Sequence, residues 1–256
     1  MPGAVVITRP LAQALPLAER VRALGRAVEV LPLLDIAPLQ DQSALRATLA
    51  RLQDFALVAF VSPNAIDAAF AHIERWPAGV TLAVLGEGSR AALAAHGITP
   101  DRVDIVSPHD AARSDSEHLL ETLDLAALRG RRVLIVRGES GRELMADGLR
   151  AAGADVTTLP AYRRSVPALT PALAARLVTL LAVPNDWLIT SSEALRGLLD
   201  LLARVPGENL VAKMQQQRLI VPHARIAASA HELGLPLVTL TGSGDERLLA
   251  ALQSRP

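Results

Sequence analysis

Val5-Val6-Ile7-Thr8-Arg9-Pro10 and, 128 positions on, Val133-Leu134-Ile135-Val136-Arg137-Gly138 are the two stretches on which the fold is read. Each is a short β-branched run, as a buried strand requires, and each ends in arginine at the same place. A helical pattern follows both. Leu15, Ala18, Val21 and Leu24 share a face in the first copy, and Met145, Leu149 and Ala152 share one in the second. Gly25 and Gly153 then stand just past the helix ends, where a left-handed conformation favours glycine. A further strand, 28–31 or 156–159, runs into Pro32 or Pro160 at the same offset.

The echo continues downstream. Leu57-Val58-Ala59-Phe60-Val61-Ser62-Pro63-Asn64-Ala65 answers Trp187-Leu188-Ile189-Thr190-Ser191-Ser192-Glu193-Ala194. Leu82-Ala83-Val84-Leu85-Gly86-Glu87-Gly88-Ser89-Arg90 answers Leu219-Ile220-Val221-Pro222-His223-Ala224-Arg225, and Ser114-Asp115-Ser116-Glu117 answers Ser243-Gly244-Asp245-Glu246. Recurrence of these blocks in one order marks an internal repeat. Strands alternating with helices across short loops imply parallel sheets covered on both faces, hence two flavodoxin-like, doubly wound α/β domains. The Pro-bracketed segments 32–38 and 160–167, equivalent in the repeat, read as extended interdomain crossings.

Composition narrows the function. The 256 residues contain 26 basic and 26 acidic side chains, so no net field draws nucleic acid or an anionic membrane. There is no cysteine, which removes disulfides, thiolate catalysis and Cys-type metal sites. Lys213 is the only lysine, so Schiff-base or phosphate-cradling lysine chemistry has a single candidate in a Gln-rich stretch. The opening Met1-Pro2-Gly3-Ala4-Val5 lacks the pattern of a signal peptide, and no run of about 18 apolar residues escapes a charge or proline. A cytoplasmic monomer without metal or other cofactor is expected.

In an open parallel sheet, ligands bind beyond the carboxyl ends of the strands. The repeat names those ends: Thr8-Arg9, Ser62-Pro63-Asn64, Gly86-Glu87-Gly88-Ser89, Arg137-Gly138, Thr190-Ser191-Ser192 and Pro222-His223. Helix N-termini, small hydroxyls and arginine suit an anion. Each loop also has a plainer explanation. Ser62-Pro63 is an N-cap followed by proline, and Thr190-Ser191-Ser192-Glu193 and Ser140-Gly141-Arg142-Glu143 both fit capping boxes. Gly86-Glu87-Gly88 begins like a dinucleotide fingerprint, but Ala91 stands where the third glycine belongs. His223 is either a substrate contact or an ordinary strand-end histidine. Tyr162, the only tyrosine, is either a proton donor at the second crossing or a residue packed there.

The ordered set Ile7-Thr8-Arg9-Pro10, Phe60-Val61-Ser62-Pro63-Asn64-Ala65, Gly86-Glu87-Gly88-Ser89, Arg137-Gly138-Glu139-Ser140-Gly141-Arg142-Glu143, Tyr162-Arg163-Arg164 and Thr190-Ser191-Ser192-Glu193 resembles the uroporphyrinogen-III synthase family. The resemblance implies closure of hydroxymethylbilane, a linear tetrapyrrole with eight carboxylates, by loss of water and inversion of ring D. It implies a discontinuous first domain of 1–35 plus 166–256, a second domain of 39–161, crossings at 36–38 and 162–165, and a cleft between the domains. Tyr162 then matches the family's tyrosine that assists departure of the hydroxyl. Arg9, Ser62, Asn64, Gly86, Gly88, Ser89, Arg137, Gly138, Ser191, Ser192, His223 and Arg225 become the substrate-binding set, with Ser89 replacing a more usual threonine. The alternative class is a two-domain module that binds a small anion without catalysis.

Overall fold

The computed structural model describes residues 3–110, 114–207 and 209–254. Met1 and Pro2 of the opening stretch lie outside them. The chain separates into two compact units, Met1–Asp35 with Ser165–Pro256, and Ile36–Arg164.

Unit 1 opens with β1 (Val5–Ile7), α1 (Leu11–Ala23) and β2 (Val28–Val30). It resumes after unit 2 with α7 (Pro171–Leu181), β9 (Asp186–Leu188), α8 (Ser192–Ala203), α9 (Leu210–Met214), β10 (Arg218–Val221), α10 (Ala224–Glu232), β11 (Val238–Leu240) and α11 (Asp245–Gln253). Its five strands lie in the order β11-β10-β9-β1-β2. All four neighbouring pairs are parallel. The two faces of each strand feed different cores, because side chains alternate along a strand. Val5, Ile7, Leu188 and Ile220 pack with α1 and α11, whereas Val6, Trp187, Leu219 and Val221 pack with residues of α7, α8, α9 and α10.

Unit 2 contains β3 (Asp35–Pro38), α2 (Ser43–Leu49), β4 (Leu57–Phe60), α3 (Pro63–Phe70), β5 (Thr81–Val84), α4 (Glu87–Ala95), β6 (Ile105–Val106), α5 (Ser116–Thr122), β7 (Arg132–Gly138), α6 (Leu144–Ala151) and β8 (Asp155–Ser165). Its strand order is β3-β8-β7-β4-β5-β6. The pairs from β8 through to β6 are parallel. Val58, Phe60, Leu82, Val84, Leu134 and Val136 face one core with α2, α3 and α4; Leu57, Ala59, Ala83, Val133 and Ile135 face the other with α5 and α6.

The repeat is visible in the ladders. Val5 pairs with Asp186 as its copy Val133 pairs with Leu57, so β2-β1-β9-β10-β11 corresponds to β8-β7-β4-β5-β6. One unit is a circular permutation of the other, with β3 added at the edge of unit 2. Each sequence copy is therefore divided between the two units. Gly25 and Gly153 end α1 and α6 at φ 75° and 89°, the left-handed conformation read from their positions.

Two expectations need correction. Leu15 is 49% exposed, and Ala14, Leu17, Ala18 and Val21 form the buried stripe of α1. The helix begins at Leu11 with proline at position 16; Ala18 and Val21 face the core as read and Leu24 packs against it, so Leu15 alone is misplaced. Residues 36–38 and 162–165, expected as extended crossings, form parts of β3 and β8, neighbouring strands of the unit 2 sheet that run up to the boundaries between the units. Neither capping box forms. Ser191, rather than Thr190, caps α8 by accepting from Ala194 N at 3.3 Å, and α6 starts after Glu143 with no side-chain cap.

At the amino ends of the unit 1 strands lies a buried charge cluster. Asp186, fully buried at the head of β9, accepts from Arg26 at 2.7 Å and stands 3.6 Å from Arg218 at the head of β10. It joins elements far apart in sequence, on the sheet edge opposite to the carboxyl ends.

Candidate functional site

In unit 2, β4 runs into Ser62, which caps α3: its Oγ accepts from Ala65 N at 3.1 Å, and Pro63 fills the first helical position. Proline costs nothing there, since that amide has no partner within the helix. The same Oγ lies 3.1 Å from the Tyr162 hydroxyl on β8. Between β4 and β8 lies β7, whose last residue, Gly138, pairs with Tyr162. A Cβ on Gly138 would lie 3.0 Å from Tyr162 Cζ and 3.2 Å from its oxygen. The strand therefore ends in glycine where the phenol crosses it. Tyr162 is buried, at 3% exposure, with its ring in the α2–α3–α4 core and its hydroxyl at the carboxyl edge of the sheet.

The first turn of α4 adjoins this group. Gly88 sits with its missing Cβ 3.8 Å from the Pro63 ring, and a Cβ on Gly86 would strike Ser114 Oγ at 2.2 Å. Ser89 is buried within that turn, and Asn64 is half-buried in the first turn of α3. The structure thus gathers Ser62, Asn64, Gly86, Gly88, Ser89, Gly138 and Tyr162 at one edge of one sheet.

Arg137 is placed differently. It is only 7% exposed, and its guanidinium donates to Glu143 at 2.6 Å while lying over Gly141. Its copy in unit 1, Arg9, donates to Asp245 at 2.7 Å. Of the three arginines expected to meet substrate, these two already hold a carboxylate. Those acids went unrecognised for different reasons. Glu143, six residues from Arg137, reads as a capping-box residue, whereas Asp245 is 236 residues from Arg9 and gives no local signal.

The carboxyl edge of the unit 1 sheet carries the remaining residues. Ser191 caps α8, Arg225 donates to the buried Ser192 hydroxyl at 3.4 Å, and His223 Nδ1 lies 3.4 Å from Ser243 Oγ. Ser191 is the structural counterpart of Ser62: each caps through the amide of an alanine three residues on. Hydroxyls, helix N-termini and an exposed arginine here form a polar edge compatible with carboxylates. Among the described residues, no group of three or more His, Cys, Asp or Glu side chains is arranged to hold a metal, and no helix is long and apolar enough to cross a membrane.

One further concavity, of about 1060 Å³, opens at the other end of the unit 2 strands, lined by residues including Trp76, Thr81, His96, Arg102 and Asp104. It lies by the beginnings of β5 and β6, away from the edge where the parallel strands and helix N-termini direct their donors.

Comparison with known proteins places the chain in a family. The profile described as uroporphyrinogen-III synthase HemD matches residues 16–242. The uroporphyrinogen-III synthase of Salmonella typhimurium is 34% identical over 259 aligned residues, covering 97% of this chain and 99% of that protein. The Escherichia coli enzyme is 32% identical with the same coverage. Among solved structures, uroporphyrinogen-III synthetase from Helicobacter pylori has a TM-score of 0.62 at 14% identity. A mutant uroporphyrinogen III synthase from Thermus thermophilus has 0.61 at 15%. Each of these two covers 99% of this chain and 100% of its own, and they attest the fold.

Proposed function

The chain belongs to the uroporphyrinogen-III synthase family, and from that premise we infer that it closes hydroxymethylbilane to uroporphyrinogen III with inversion of ring D. It is a lyase of tetrapyrrole biosynthesis rather than a non-catalytic binding module. The linear substrate also closes unaided, without inversion, so the protein's task is to hold one geometry and to manage protons.

The observation that carries the residue assignment is the Tyr162 hydroxyl at the carboxyl edge of the unit 2 sheet, 3.1 Å from Ser62 Oγ. We assign that phenol as the acid. As the C–O bond of the hydroxymethyl group breaks, the departing oxygen takes the phenolic proton and leaves as water, and the pyrrole nitrogen lone pair supplies electrons to the carbon left behind. Ring D then bonds to that carbon through the α-carbon already linked to ring C, the old link breaks and re-forms at the free α-carbon on the other side of the ring D nitrogen, and loss of that carbon's proton restores aromaticity. That proton can return to the phenolate, which closes the cycle.

The substrate's carboxylates are assigned to the polar sheet edges of the units. In unit 2 the amides at Asn64, Gly86, Gly88 and Gly138 and the hydroxyl of Ser89 take part, while the Ser62 hydroxyl is engaged with Tyr162. In unit 1 the set is Ser191, Ser192, His223 and Arg225. Arg9 and Arg137 contribute by exchanging Asp245 and Glu143 for a substrate carboxylate. The working form is a cytoplasmic monomer acting on a small molecule, without cofactor, nucleic acid or membrane. The equal numbers of acidic and basic side chains support the lack of a nucleic-acid or anionic-membrane partner.

Incubation with freshly generated hydroxymethylbilane, followed by oxidation and separation of the porphyrin isomers, tests this. The type III isomer is expected to dominate. Type I alone, at the rate of an enzyme-free control, would overturn the assignment.

A further inference from the structure

Alternation along a strand would send Ala161 and Tyr162 to opposite faces of the sheet. They do not separate: Leu159, Ala161 and Tyr162 all join the same buried cluster. The β7–β8 register shows how. Arg137 pairs with Pro160, but the next residue, Gly138, pairs with Tyr162, so Ala161 is the extra residue of a bulge. A bulge re-aims the side chains beyond it, and here it turns the phenol toward the N-terminus of α3. Two further features fit that turn. Gly138 has no Cβ to collide with the ring, and Ser62 offers a hydroxyl to the phenolic oxygen.

Ser62 is itself anchored. One lone pair of its Oγ accepts from Ala65 N, which fixes the oxygen at the head of α3 and leaves its proton and other lone pair facing Tyr162. We propose that Ser62 is a positioning residue for the reaction: with the Ala161 bulge and the bare Gly138, it holds the Tyr162 phenol in its proton-donating direction and donates its own O–H to the phenolate as the proton leaves. This deepens the reading above and rests on it. No atom of Ser62 need touch the substrate for this role.

The experiment uses three variants and a spectroscopic reporter. Ser62→Ala should lower kcat about tenfold while KM stays within about twofold, the effect of one lost orienting hydrogen bond. Ser62→Gly should lose as much, although glycine is a tolerable N-cap, which separates the hydroxyl from the stability of α3. Ser62→Thr should recover most of the loss. Since Tyr162 is the only tyrosine, 3-fluorotyrosine labelling gives a resonance or pair of ring-flip resonances from this ring alone. That signal should move in Ser62→Ala and return toward its native position in Ser62→Thr. Native kcat in Ser62→Ala, an unmoved fluorine signal, or a raised KM at native kcat each overturns the proposal, the last by making Ser62 a substrate ligand. Native turnover in Tyr162→Phe would overturn both this proposal and the acid assignment. Native kcat in Ser62→Ala alone overturns only this one.

Discussion

Beyond β2 the chain of unit 1 continues through Leu31, Pro32, Leu33 and Leu34, and the two last leucines are buried together in one core. At the matching positions of unit 2, Pro160 is followed by Ala161 and Tyr162, likewise buried together in one core. Burial of the pair recurs, but Leu34 gives one unit only apolar contact where Tyr162 gives the other a phenol. Ser191 and Ser62 show the same divergence, for both cap a helix, yet Ser62 also reaches a tyrosine. The converse holds at the strand heads. Unit 1 buries Asp186 between two arginines, whereas the matching ladder position in unit 2 is Leu57. A duplicated framework kept its strand order while its polar groups settled at different edges, one unit carrying a phenol at the carboxyl edge and the other an ionic clamp at the opposite edge.

The largest effect expected is at the clamp. Replacing Asp186 with leucine, as unit 2 has it, leaves Arg26 and Arg218 facing each other in a largely buried site. An uncompensated buried charge costs about 3–5 kcal/mol. Denaturant unfolding should show that loss, and a variant within about 1 kcal/mol of the parent would mean that the arginines find water instead. Next comes Tyr162→Phe, which removes the phenol but keeps the ring. Turnover should fall about a hundredfold with a smaller change in KM, the lower end of what a general acid supplies. Steady-state kinetics with the bilane decides it, and unchanged turnover would erase the chemical distinction between Tyr162 and Leu34.

The smallest effect concerns α5 and α11, another matched pair. Glu117 accepts two hydrogen bonds from Arg142, and these hold its carboxyl below its ordinary value of 4.5, while the same interaction raises the arginine. A lowered carboxyl pKa contributes stability above the unfolded value of about 4.5 and loses it as pH falls through the folded one. Glu117→Gln should therefore cost about 0.5 kcal/mol or less at pH 7, since both side chains are 41% exposed and solvent screens them. Parent and variant melting curves should converge in acid. A gap that widens as pH drops would contradict the sign of this linkage.

Local chemistry is what the sequence makes legible. β-Branched runs, the glycines that end α1 and α6, and the Ser62-Pro63 cap each depend on a few adjacent residues, and each reads correctly. So does the repeat, because strand order follows from matching blocks. Features that depend on distant partners do not read in this way. The Ser62–Tyr162 contact spans 100 residues, and Arg9 meets its acid 236 residues away. The bulge at Ala161 does not read, because Pro160 just before it reads equally well as the end of a strand. The failed capping boxes teach the same lesson at short range: Glu143 had two roles open to it, and the buried Arg137 took it.

The permuted connection also dictates the order in which this chain can mature on the ribosome. β1 belongs between β2 and β9, yet β9 begins at residue 186, after all of unit 2 has been made. At about 5–20 residues per second, the first strand waits roughly ten to thirty seconds with one flank of its apolar ladder open. Unit 2 is contiguous and can fold during that interval, so the inserted body is finished first and its host is completed last.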